Sequence, residues 1–141
     1  MYSKPNHMLV SISKASQLAS GMLPGARVVV VGSRSFPYPG FVRNVVTCLS
    51  SGITVCSGGG GVVDVTAVEQ ARKLGLSVAE YPAQWLQLGK RAGVIRSLAM
   101  LQSGVTAVFV FVSDVSCVSP GSLATIHIAQ RLGLPVYVVS A

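Results

Sequence analysis

The sequence predicts an α/β domain: an open parallel sheet of about five strands with helices on both faces. Two observations carry this expectation. Short, continuously apolar, β-branched runs recur along the chain, as strands buried on both faces do. Between them lie segments with three- and four-residue apolar spacing, most of them stopped by glycine, as helices are. The length of 141 residues is one domain's worth.

The first 25 residues are expected as an N-terminal helical extension, with residues 26–141 as the sheet domain. In the extension, Leu9, Ile12, Ala15, Leu18, Ala19 and Met22 fall on one helical face until Pro24 and Gly25 end the pattern. Arg27 to Val31 is then the first strand, and Phe41 to Ser50 a helix ended by Gly52. Ile53 to Cys56 is a second strand. A glycine loop leads into a helix over Val62 to Leu74, which Gly75 stops. Leu76 to Tyr81 is a third strand. Gln87 to Gln102 is expected as one helix despite Gly89 and Gly93. Val105 to Val112 is a fourth strand, Ser122 to Leu132 a helix, and Pro135 to Val139 the last strand. Strands one to three then run outward in one direction and four and five in the other. That order puts a switch point beside the first strand, where ligands bind at the carboxyl ends of the strands.

Composition narrows the function classes. Hydrophobic residues make up 50% of the chain and charged residues 11%, against roughly 25% charged in an average domain. Disorder is excluded, because disordered chains are rich in charge and poor in apolar residues. No apolar run approaches the ~20 residues of a membrane span. So little charge means either that small polar residues and glycine cover the surface or that another chain does; together with the Met8–Met22 helix it points to a homo-oligomer. Eleven basic residues against four acidic ones leave a net charge of +7, which suits an anionic partner. Cys48, Cys56 and Cys117 are odd in number and lack metal spacing; Cys48 and Cys56 lie in apolar surroundings and fit small core residues and a reducing cytoplasm. The N-terminus shows no continuous signal-peptide core. Cytoplasmic localisation and no membrane partner are therefore expected.

The loops at the binding edge hold the candidate residues. Gly32-Ser33-Arg34 follows the first strand; Gly32 permits a tight turn, and Arg34 can fork onto a phosphate. Ser57-Gly58-Gly59-Gly60-Gly61 runs straight into a helix, so backbone N–H groups and the dipole could meet an anion. Its spacing is neither that of a dinucleotide fingerprint nor that of an ATPase phosphate loop. Asp64, in the first helical turn, fits dipole placement or capping slightly better than a ligand-hydroxyl acceptor. Trp85 either stacks on a base or caps the core, and Lys90, Arg91 and Arg96 form the densest basic cluster. Gly121-Ser122 opens the last helix as a second anion-ready start. His127 has no partner at ligand spacing, and no metal site is expected.

Taken in order, Gly32-Ser33-Arg34, Ser57-Gly58-Gly59 with Asp64 and Ala67, Pro82-Ala83-Gln84-Trp85, Gly89-Lys90 with Ala92-Gly93 and Ile95-Arg96, and Gly121-Ser122 resemble the SLOG superfamily. The YspA-like branch is the nearest in pattern. The resemblance runs from about Arg27 to the C-terminus. It implies a Rossmann-like fold and a nucleotide-derived, phosphate-bearing ligand, held by the Ser57–Gly61 loop and the Gly121–Ser122 helix start, with Arg34 and Arg96 supplying charge. Related proteins include the Lonely Guy phosphoribohydrolases and the DNA-processing protein DprA. The Lonely Guy enzymes carry a catalytic Glu after a glycine-rich loop, and the comparable stretch here, Pro120 to Thr125, has no acid. Ser97 and Val62 also stand where the YspA-like pattern has Asn and Gly.

Three functions follow as expectations. The first is binding or sensing of a nucleotide derivative, with no certain cofactor beyond that ligand. The second is hydrolysis of a nucleotide or its N-glycosidic bond. It requires a carboxylate, and the weak catalytic candidates are Asp64 and Asp114. The third is single-stranded nucleic-acid binding, favoured by the charge and disfavoured by the 6% aromatic content.

Overall fold

The computed structural model of the chain describes residues 7–58, 60–114 and 118–140. Six parallel strands form one sheet: β1 (His7–Val10), β2 (Arg27–Gly32), β3 (Thr54–Ser57), β4 (Ser77–Glu80), β5 (Ala107–Val112) and β6 (Val136–Ser140). Their spatial order is β1-β6-β5-β2-β3-β4. The helices are α1 (Ile12–Ser20), α2 (Pro39–Thr47), α3 (Val62–Lys73), the single turn α4 (Trp85–Leu88), α5 (Ala92–Leu101) and α6 (Pro120–Arg131). This is an open, Rossmann-like α/β sheet.

The pleat of the central strands explains the two-sided packing. Val28 and Val30 of β2, with Phe109 and Phe111 of β5, enter one core together with side chains of α1, α2 and α3. Val29 and Val31, with Val108, Val110 and Val112, enter the other, against α5 and α6. Successive strand residues point to opposite faces, so a continuous apolar run fills both cores at once. Cys56 is buried in the second core and Cys48 packs half-buried on the first. Cys117 lies outside the described residues.

Two elements differ from the sequence expectation. The apolar spacing from Leu9 onward predicts a helix, but His7–Val10 is a strand paired in parallel with β6. The helix begins only after Ser11, whose hydroxyl caps it by accepting from the Lys14 N–H. Val10, Ala15 and Ala19 are buried in the same core as β2 and β5, so this N-terminal segment packs into the sheet unit. The second difference is Gln87 to Gln102, which is not one helix. Gly89 takes φ +60°, ψ −136°, a conformation open to glycine and strained for other residues. The chain turns there through a 3₁₀ turn, Gly89–Arg91, before α5 starts.

Chain direction places the site. After β2 the chain leaves through α2 toward β3 on one side. After β5 it leaves through α6 toward β6 on the other. The two helices pack on opposite faces, and a crevice opens at the carboxyl ends between β2 and β5.

Candidate functional site

The crevice is a cleft of about 470 Å³, within the ~300–1,000 Å³ typical of small-molecule sites. Four parts of the chain build it. The end of β2 contributes Gly32 and Arg34. Phe36 anchors this loop, 2% exposed and edge-on to Phe111 with ring centroids 5.8 Å apart. Arg34 therefore stands exposed on a fixed base.

The glycine loop contributes Gly60 and Gly61, with Asp64 behind them. Ser57 and Gly58 are buried behind this wall and do not line the cleft; Gly59 lies outside the described residues. The glycines are required by close approach. A Cβ on Gly61 would collide with the Arg34 backbone, and one on Gly58 with the Arg96 guanidinium. The loop is braced from within. The Val62 N–H donates to the Arg34 carbonyl at 3.0 Å. The Gly60 N–H donates to Asp64 Oδ2 at 2.8 Å, and Arg96 Nη1 donates to the Gly58 carbonyl at 2.9 Å. Two N–H groups expected to face an anion are thus already engaged by the protein.

The segment after β4 contributes Trp85, Lys90 and Arg96. The bend at Gly89 folds it back, so the indole of Trp85 rests against Gly93, 3.3 Å from where a Cβ would stand. Trp85 is 57% exposed; it forms part of the cleft wall and does not cap the core. The start of α6 contributes Gly121 and Ser122. Pro120 sits in its first turn, and the Ser119 hydroxyl accepts from the Ser122 N–H. Ser122 is buried, and its own hydroxyl accepts from Ser119 Oγ at 3.0 Å.

The remaining candidates lie apart. Ser33 turns the chain after β2, its N–H donating to the Phe111 carbonyl, and does not line the cleft. Asp114, exposed just past β5, does not line it either. His127 is exposed on α6. Two residues outside the candidate ligand-binding set also line the cleft, Ser97 and Thr125, whose hydroxyls meet at 3.4 Å. Thr125 Oγ1 also donates to the Gly121 carbonyl at 3.2 Å. Their spacing to the glycine motifs was the available signal: each sits about one helical turn from a candidate residue.

Asp64 is the electrostatic focus. It is 8% exposed. Burial pushes its carboxyl above the ordinary aspartate value. The Gly60 N–H, the Arg96 charge, the Ser57 hydroxyl and the Arg34 charge pull the other way. Among the described residues, Asp64 Oδ1 and Arg96 Nε are buried side-chain atoms without a hydrogen-bond partner. Buried polar atoms are nearly always paired, so two orphans at one cleft mark a place where a ligand could complete the bonding.

No group of three or more His, Cys, Asp or Glu gathers as a metal site among the described residues. Among the same residues, no helix is long and apolar enough to cross a membrane. No protein-family model, curated protein or solved structure matches the chain.

Proposed function

We propose that the protein binds a nucleotide-derived, phosphate-bearing small molecule in the cleft between β2 and β5. The observation that carries the reading is the pairing at one switch-point cleft of three cations with a buried carboxylate whose Oδ1 lacks a partner. Arg34, Lys90 and Arg96 suit phosphate oxygens. Asp64 can only accept when ionised, so it suits a hydroxyl of the ligand's sugar. Because Asp64 already sits in the first turn of α3, it occupies the positive end of that helix dipole. The phosphate is therefore assigned away from Asp64, toward Arg34, Lys90 and the start of α6. Trp85 offers a flat surface at the rim. The motif resemblance to the SLOG superfamily supports the same ligand class.

Calorimetric titration with AMP, NAD, ADP-ribose and cyclic ADP-ribose isomers tests this. At least one should give saturable heat, lost in Arg34→Ala. No heat from any of them up to millimolar concentration would overturn the reading.

A second reading is an N-glycosidic hydrolase with Asp64 as its acid. Its support is the raised pKa of a buried carboxyl that lines the cleft. Incubation with nucleoside monophosphates should then release free base, and Asp64→Asn should abolish the release. Equal turnover in the variant would remove Asp64 from the mechanism.

A further inference from the structure

A second cavity, of about 280 Å³, lies between the end of β4 and helices α4 and α5. Arg96 lines both this cavity and the main cleft. Its guanidinium is fixed by the bond from Nη1 to the Gly58 carbonyl. Tyr81 in the cavity lining is held at both ends. The Tyr81 N–H donates to the Ser57 carbonyl at 2.8 Å. Its phenol oxygen accepts from Arg27 Nη2 at 2.9 Å, and Arg27 is itself held by Ser103.

The lining is an aromatic and aliphatic surface with two hydrogen-bonding groups. Tyr81, Ile95 and Ala99 give the apolar part, and Glu80 and Gln84 the polar part. Glu80 pairs with Arg72 at 3.1 Å, but both side chains are about half exposed. Such surface pairs are worth little and are readily exchanged for a ligand contact. An ionised carboxylate only accepts, so the group it recognises must donate. The volume lies below the ~300–1,000 Å³ range of drug-sized pockets; it suits one ring rather than a whole nucleotide.

We propose that this cavity is a subsite for a flat heterocycle carrying an amine or ring N–H, linked to a phosphate held on the other side of Arg96. The proposal rests on the phosphate-binding reading of the main cleft. It adds the position of the ring and the donor chemistry that Glu80 selects. Trp85 then borders the phosphate and sugar rather than the ring.

The test compares AMP with ribose 5-phosphate, which lacks the ring, by calorimetry. The wild type should bind AMP about tenfold or more tighter, as one buried ring with a hydrogen bond provides. Ala99→Phe fills the cavity and should erase that preference while leaving ribose 5-phosphate binding unchanged. Glu80→Gln, a conservative change on an exposed edge, should reduce AMP binding several-fold with the same thermal midpoint. If the wild type binds both ligands equally, or if folded Ala99→Phe and Glu80→Gln both keep the AMP preference, the subsite is overturned and the main cleft stands. If neither ligand binds the wild type, the phosphate reading falls and the subsite falls with it.

Discussion

The buried carboxyl of Asp64 takes the Gly60 N–H on Oδ2, with the Arg96 and Arg34 charges nearby. The raised pKa has a consequence for stability. Where a folded carboxyl holds its proton more tightly than the unfolded chain does, stability falls as pH rises. Asp64 should therefore cost nothing below the ordinary aspartate value. Its penalty should grow as pH climbs to the raised folded value and stay full above it. Urea unfolding across this range should show wild-type stability falling relative to Asp64→Asn; parallel curves would contradict the assignment. The glycines give a second prediction at this scale. Gly61→Ala drives a Cβ into the Arg34 backbone and should cost about 1–3 kcal/mol. Gly60→Ala meets only Asp64 Oδ2, at 3.1 Å, and should cost less. Denaturant midpoints will rank the two.

At the scale of elements, the strands of the central sheet were the most legible part. Apolar, β-branched runs such as Val28–Val31 and Ala107–Val112 have no other way to bury both faces. The order of β2 through β6 followed from their alternation with helices, and the switch point followed from the order. Two elements escaped for specific reasons. At Leu9 and Val10 two apolar residues fit a helical stripe and a short strand equally well, and only pairing with β6 decides between them. In the α4–α5 segment the apolar period continues through Gly89, and a positive φ leaves no trace in a hydrophobic pattern. That bend sets Trp85 and Lys90 on the cleft. Gly89→Ala should therefore cost about 1–3 kcal/mol and also weaken ligand binding. An unchanged affinity in a destabilised variant would show that the bend does not position the site.

At the scale of the whole molecule, the low charge remains the unusual property. Arg72–Glu80 is the one ion pair identified among the described residues, and the basic excess includes Arg34, Lys90 and Arg96 at one cleft. Elsewhere the surface is apolar in places. Leu86 is fully exposed, and Leu98 is exposed on α5. Such patches mark contact surfaces. We expect a dimer or larger species by light scattering, shifted toward monomer by Leu98→Glu; a wild-type monomer at micromolar concentration would contradict this. The cleft could be located in advance from strand order, whereas the close placement of Arg96, Gly58 and Asp64 behind it required the folded loop.

A phosphate-bearing nucleotide derivative is proposed to occupy the switch-point cleft. Hydrogen exchange measured with and without saturating ADP-ribose tests that placement most directly. Exchange should slow in peptides covering residues 57–64, 85–97 and 119–125, with the α1 and α2 peptides unchanged. Unaltered exchange in those three segments, or protection confined to other parts of the sheet, would contradict it.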